Sequence, residues 1–261
     1  MKYHKWIASR GCRLSVIVHQ EGEANPDKPV IICCHGFTGD KVGANQLMLN
    51  LGKGIAAEGF TVIRFDFAGS GESEGEFASE TTVGGWREDL RNVVTWLRDR
   101  PEFERSPLYL LGHSLGGLIV LTSDLAEIAG RVVLAPVIHP IENFRDIILG
   151  PELWQLAVKG ETIVNFYGKG FSLEPGFVAD LLAENYAPLT AASAYNTPLF
   201  IVHGDKDAAV PLPGSQELYH QYAGAKEIAV IDADHVFTGQ HSTVKASITT
   251  WLHKRFSQYD I

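Results

Sequence analysis

The stretch Gly112-His113-Ser114-Leu115-Gly116-Gly117 holds a serine in a tight turn between two apolar runs, 108–111 and 118–121. The pattern is strand, turn, helix. A G-x-S-x-G turn in that setting forces the serine into a strained backbone and lifts its hydroxyl above the sheet edge. Gly112 and Gly116 are needed because a β-carbon at either position would collide with the strand or helix beside the turn. The Leu115 amide then points at the position where a carbonyl oxygen would sit. The chemistry this suggests is nucleophilic attack, which a serine hydroxyl performs only when a base accepts its proton. The bland alternative for Ser114 is a helix N-cap that satisfies an orphan amide. A mere cap does not require the flanking glycines.

Candidate partners come later in the chain. A buried-strand pattern over 198–202 runs into His203-Gly204-Asp205-Lys206-Asp207-Ala208-Ala209-Val210-Pro211. A strand pattern over 228–231 runs into Asp232-Ala233-Asp234-His235-Val236-Phe237. Each candidate stands just past the C-terminal end of a strand, and in an open parallel sheet all those ends share one edge. His235 is the candidate base. Asp205 and Asp207 compete as the acid; Asp205 directly follows Gly204 and is well placed to cap its turn. Asp234, adjacent to His235, suits organising that loop. Of the other histidines, His4, His19, His220 and His253 lie in polar or amphipathic contexts and are expected in solvent. His113 is expected packed and hydrogen-bonded under the nucleophile turn. His203 ends the acid-bearing strand, and His241 begins the last helix without standing at a strand end. His139 suits either the pocket lining or a structural role.

The elements that must position these residues alternate. Strands are expected over 14–18, 30–34, 60–65, 108–111, 131–135, 198–202 and 228–231, and helices over 45–58, 83–99 and 243–256. The links are long enough for crossovers, so the fold class is α/β: a mostly parallel central sheet with helices on both faces. The basic start (Lys2, Lys5, Arg10, Arg13) suits an exposed edge strand. A chain of 261 residues with 45% hydrophobic content can bury one large core. Its net charge of -9 argues against nucleic acid, whose phosphates demand a basic face. No apolar run approaches the ~20 residues of a membrane span, and the first residues lack a secretory apolar region, so a cytoplasmic location is expected. Three cysteines provide no paired framework, and Cys33 and Cys34 read as small core residues. Neither a second cysteine pair nor an H-E-x-x-H helix suggests zinc. Gly69-Ser70-Gly71 begins like a dinucleotide fingerprint, but Glu74 occupies the third glycine position, so a structural turn is expected.

Taken together, five motifs, the nucleophile turn included, resemble the α/β-hydrolase superfamily over essentially the whole chain. They are His35-Gly36-Phe37-Thr38-Gly39 after the strand at 30–34, Asp66-Phe67-Ala68-Gly69-Ser70-Gly71-Glu72-Ser73, the nucleophile turn, and the G-D-x-D-x-x-V-P and D-H-x-F loops. The resemblance implies a triad of Ser114, Asp207 and His235, with Asp207 matching the family's acid position. His235 would act first as base and then as acid, and Asp207 would hold its tautomer. The backbone amides of Phe37 and Leu115 would form the oxyanion hole. His35 would brace that loop. No metal or organic cofactor is implied.

The alternation breaks between about 137 and 188, where Phe144, Trp154, Phe166, Tyr167, Phe171, Phe177 and Tyr186 gather. The expected organisation is a core of 1–136 and 188–261 with a lid or cap at 137–187. A small hairpin is expected over 162–173 about Gly168-Lys169-Gly170, with a short helix over 176–183. Most of these aromatics are expected to pack the insertion, and a few to line a pocket for an acyl group. Such a hairpin-bearing insertion resembles the lid of small bacterial cinnamoyl or feruloyl esterases. The function this implies is a serine carboxylic-ester hydrolase acting through an acyl-enzyme on hydroxycinnamate or short-chain esters. Thioesterase, amide or peptide hydrolase and carbon–carbon bond hydrolase activities are the alternatives within the fold. A transferase or haloperoxidase-like use of the same triad, and a non-catalytic binding protein on this fold, are alternatives of other classes. The expected partner is a small-molecule ester, not nucleic acid or membrane, and a homodimer stays open.

Overall fold

The computed structural model describes residues 1–20, 22, 28–168 and 170–256. Among them, eight strands form one sheet: β1 (Lys2–Ser9), β2 (Cys12–His19), β3 (Val30–Cys34), β4 (Thr61–Phe65), β5 (Leu108–His113), β6 (Ile128–Leu134), β9 (Leu199–Gly204) and β10 (Lys226–Ile231). Their order across the sheet is β1-β2-β4-β3-β5-β6-β9-β10. Only β2 runs against the others, since it pairs antiparallel with both β1 and β4 while the remaining pairings are parallel. Strands β3, β4, β5 and β9 are buried along their whole length. Their continuous apolar runs suit strands covered on both faces. The basic N-terminal segment is the edge strand β1, as its composition suggests.

Helices cover both faces. Helices α1 (Leu47–Ala57) and α10 (His241–Phe256) pack on one side, where Leu51, Ile55, Val244, Ile248 and Trp251 join the core under Ile31 and Val62. Helices α3 (Val83–Arg98), α4 (Leu115–Thr122), α8 (Pro188–Ser193) and α9 (Leu212–Gln221) lie on the other side. Helix α1 begins two residues later than its sequence pattern suggests, because Asn45 and Gln46 adopt left-handed φ values. Thr82 caps α3 by accepting from the Gly85 amide at 2.9 Å. A short helix α2 (Phe77–Glu80) precedes it.

Residues 135–187 lie as an insertion between β6 and α8. They contain α5 (Pro140–Asn143), a π-helical turn at Phe144–Ile148, α6 (Pro151–Val158), the hairpin β7 (Ile163–Phe166) and β8 (Phe171–Leu173), and α7 (Gly176–Glu184). The hairpin and α7 agree with the sequence pattern; Lys169, in the expected turn, lies outside the described residues. Helices α5, α6 and the π turn carry no such signal. The insertion is anchored to the core by Asp180, whose Oδ2 accepts the Val83 and Gly84 amides at 2.9 and 3.2 Å. Phe144, Trp154, Phe166, Phe177 and Tyr186 are buried in this packing.

One expectation is corrected here. His19 is not solvated: it is 5% exposed, and its Nε2 accepts from Arg64 Nε and Nη2 at 3.1 and 2.9 Å. An arginine only donates, so the ring is a neutral acceptor. Burial and the Arg64 charge push the His19 pKa down to about 4. His4, His220 and His253 are exposed, as expected.

Asp89 on α3 joins three elements. Its fully buried carboxylate accepts from Ser9 Oγ at 2.6 Å, from Arg10 Nε and Nη2 at 3.0 Å each, and from the Ala68 amide at 3.0 Å. Asp89→Ala leaves those donors buried without their acceptor, a change that typically costs ~3–5 kcal/mol. Urea unfolding should register a loss of that order; a loss below about 1 kcal/mol, the scale of an exposed ion pair, would contradict this role.

Candidate active site

The chain winds outward from β3 through β4 on one side and from β5 through β6 on the other, so the gap between β3 and β5 is the point where strand order reverses. Loops leaving adjacent parallel strands there bound a crevice at the carboxyl edge. Ser114 follows β5 directly, with φ 56° and ψ -120°. Such a conformation is strained for a residue with a β-carbon. Its backbone holds the turn in place: the amide donates to Leu134 O at 2.9 Å, and the carbonyl accepts from Gly117 N at 2.9 Å and Val137 N at 3.2 Å. The hydroxyl makes no capping bond to α4, which removes the N-cap explanation. A β-carbon at Gly112 would meet Gly116 O at 2.3 Å, and one at Gly116 would meet Cys34 O at 2.3 Å. Both glycines are therefore fixed by close backbone approach.

The loop after β9 carries the acid. Asp207 Oδ1 accepts the Ala209 and Val210 amides at 2.8 Å each, and Oδ2 accepts from His235 Nδ1 at 2.7 Å. Burial alone would raise this carboxyl, but the hydrogen bonds from His203, His235 and the Val210 amide outweigh it and hold it well below the usual range. Asp205 instead accepts the Ala233 amide at 3.3 Å. Asp234 accepts the Val236 and Thr238 amides at 3.2 and 2.8 Å and organises the histidine loop. Of the three acids, the structure brings Asp207 onto His235.

Ser114 and His235 line one cavity of about 230 Å³, together with Phe37, Met48, Ile148 and Tyr167. The loops after β3 and β5 touch, since a β-carbon on Gly36 would lie 3.0 Å from Ser114 Cβ. Leu115 opens α4, so its amide belongs to the first turn, where N–H groups lack intrahelical acceptors. His35 braces the Phe37 loop. It accepts the Phe67 amide on Nε2 at 3.2 Å, which leaves Nδ1 to donate to Gly36 O at 2.9 Å. The Phe37 ring packs against Phe77, Phe144, Phe166 and Phe177 at centroid distances of 5.1–5.6 Å. This ring cluster joins the loop after β3 to the insertion.

Sequence reasoning missed the part played by the hairpin tip. Tyr167 stacks on Phe166 at 3.9 Å and donates its hydroxyl to Ile148 O at 3.0 Å, bridging two parts of the insertion beside the cavity. Its aromatic type in a lid-like insertion was the available signal. His139 faces a neighbouring cavity of about 290 Å³ and pairs with Glu217 at 2.8 Å. His241 Nδ1 accepts from Asn50 Nδ2 at 3.1 Å and its Nε2 donates to the Val236 carbonyl at 3.0 Å, away from Asp207.

The fold and this crevice define the protein as an α/β-hydrolase. Residues 25–167 match the model of the Hydrolase_4 family, described as serine aminopeptidase, S33, and the chain belongs to that family. The matched residues include Ser114 and the Phe37 loop; Asp207 and His235 lie beyond them. Among curated relatives, the uncharacterised protein YfhR of Escherichia coli (strain K12) is 26% identical over 245 residues, 92% of this chain and 76% of that one. Palmitoyl-protein thioesterase ABHD10, mitochondrial, of Homo sapiens is 27% identical over 173 residues, 61% of this chain and 51% of that one. The chain thus spans about half the length of that relative. Est1E from Butyrivibrio proteoclasticus, solved with ferulic acid bound, superimposes with a TM-score of 0.84 at 22% identity, over 97% of this chain and 99% of that one. At that identity the likeness shows the fold.

His113 sits under the nucleophile turn, as expected. Its Nε2 donates to His235 O at 2.9 Å, and its ring lies 4.7 Å from the His235 ring. Burial and the neighbouring His235 push its pKa down from 6.5 to about 3. As pH falls, the unfolded chain takes up this proton first. The stability contributed by neutral His113 is therefore complete above pH 6.5 and is lost progressively toward pH 3. Urea unfolding at neutral and mildly acidic pH should show a smaller acid loss in His113→Gln than in the wild type. Equal losses would contradict a buried neutral His113.

Proposed function

We propose that this hydrolase cleaves carboxylic esters through a serine acyl-enzyme, with Ser114 as nucleophile, His235 as general base and acid, and Asp207 as the orienting acid. The observation that carries this reading is the strained, uncapped Ser114 facing the same cavity as a histidine bonded at 2.7 Å to a buried carboxylate. Ser114 Oγ attacks the ester carbonyl carbon while its proton passes to His235 Nε2. Asp207 accepts from Nδ1 and stabilises the cation that forms. The carbonyl oxygen becomes an anion facing the Phe37 and Leu115 amides; one such donor is typically worth ~3–4 kcal/mol in the transition state. Collapse breaks the ester C–O bond, and His235 returns the proton to the departing alcohol. Water then repeats the sequence on the acyl-enzyme and frees the acid. The base must be unprotonated for attack, so kcat/KM falls in acid.

Hydroxycinnamate (feruloyl-type) and short-chain esters are the proposed substrates, with residues 137–187 acting as the lid. The aromatic cluster around Phe37 and the Tyr167 ring support an apolar, ring-accepting acyl site. The ferulic acid named with Est1E supports the same class. Thioester cleavage is the second reading, favoured by the likeness to a palmitoyl-protein thioesterase. Wild type and Ser114→Ala compared on methyl ferulate, a short aryl ester and a matched thioester test both. The expected result is Ser114-dependent cleavage that favours ferulate, with the variant folded and inactive. Preference for the thioester would move the assignment to the second reading, and a folded variant with normal turnover would refute the serine mechanism.

A further inference from the structure

His203 occupies the last turn of β9 before the acid loop and is fully buried. Its Nε2 lies 3.0 Å from Val210 O and 3.3 Å from Asp207 Oδ2. Both partners accept and neither donates, because Asp207 is an ionised carboxylate, so Nε2 carries the proton. On the far side of the ring, Nδ1 lies 2.7 Å from Ser215 Oγ, a buried hydroxyl near the start of α9. With the proton on Nε2, Nδ1 accepts from the Ser215 hydroxyl, and that bond fixes the orientation of the ring. Asp207 Oδ2 is thereby shared between two imidazoles, His235 on the cavity side and His203 on the buried side.

We propose that Ser215 and His203 form a positioning relay behind Asp207: the serine holds the His203 ring in place, and the histidine aims the carboxylate at His235 and limits how strongly it attracts a proton there. The inference rests on the reading of Asp207 and His235 as acid and base. Loss of Ser215 removes the anchor on Nδ1 and lets the His203 ring tilt its Nε2–H away from Asp207. The carboxylate then loses one donor, becomes a stronger acceptor and favours the protonated form of its remaining imidazole partner. The acidic limb of kcat/KM must therefore move to higher pH, and kcat must fall because the carboxylate is less well aimed.

The other ionisable groups around this pair remain unchanged when Ser215 is altered. His113, from β5, is neutral and bonded to His235 O. Asp205 and Asp234 are taken up by backbone amides, and Lys206 pairs with Asp232 at the surface. Glu217, on α9, is turned to His139.

The test measures pH profiles of kcat and KM for the wild type, Ser215→Ala, His203→Gln and His203→Leu on one ester, with histidine ¹⁵N spectra of the same proteins. Ser215→Ala should lower kcat about tenfold, the rate equivalent of one hydrogen bond to a charged group. KM should stay within about twofold, a change too small to report a lost binding contact. The acidic limb should move to higher pH, and the His203 Nε2 signal should shift as its contact with Asp207 loosens. His203→Gln keeps a side-chain N–H near Asp207 and should restore the wild-type limb, whereas His203→Leu should move it upward. Superimposable limbs in the wild type and Ser215→Ala, or an unchanged His203 Nε2 signal, would overturn the relay. Ser114→Ala run alongside separates the two ideas: turnover that survives it defeats the serine mechanism itself, whereas Ser114-dependent turnover with an unmoved limb defeats only the relay. Ser215→Ala removes a single oxygen, so the test stands even where His203→Leu fails to fold.

Discussion

Helix α4 lies so close to the end of β3 that a methyl group on Gly116 would meet the Cys34 carbonyl at 2.3 Å and the His35 carbonyl at 2.5 Å. The rest of the site depends on this approach. It brings the first turn of α4, with its unpaired amides, beside the loop that carries Phe37. It also forces the chain to reverse sharply between β5 and α4, which leaves Ser114 at positive φ. A side chain at Gly112 or Gly116 would separate these elements, and Ser114 would lose either its strain or its neighbour. Positive φ at a serine is costly. Here it is held by backbone hydrogen bonds that tie Ser114 to β6, α4 and the chain after β6.

Electrostatics at this edge follow from burial. His113, His203 and Asp207 all lie under the site with little or no exposure. A buried histidine resists protonation, and His113 accordingly remains neutral far into acid. A buried carboxylate survives as an anion only with enough donors. Asp207 has four: two amides of its own loop and two imidazoles. Much of the loop from Gly204 to Pro211 thus serves to keep one negative charge stable beside His235.

The core of this arrangement was legible because it is local. Strand-turn-helix punctuation marked Ser114, and residues just past strand ends marked Asp207 and His235, since topology alone carries such ends to one edge. The hairpin at 163–173 and α7 showed in spacing and turn residues. What did not show depends on contacts distant in sequence. Helices α5 and α6 and the π turn are short and held by packing of the insertion rather than by their own periodicity. His19 appeared solvated from its neighbours, yet Arg64, 45 residues on, buries it. Phe37 was identified for its amide. The aromatic contacts that tie its ring to Phe144 and Phe177 could not be seen before the insertion folded over the loop.

The account turns on Ser114 being the residue that becomes covalently modified. A serine-directed fluorophosphonate, followed by digestion and mass spectrometry, tests this most directly. The predicted result is a single adduct on Ser114 whose appearance parallels the loss of ester hydrolysis. Hydrolysis that persists after Ser114 is fully modified, or inactivation with the adduct on another residue, would contradict the account.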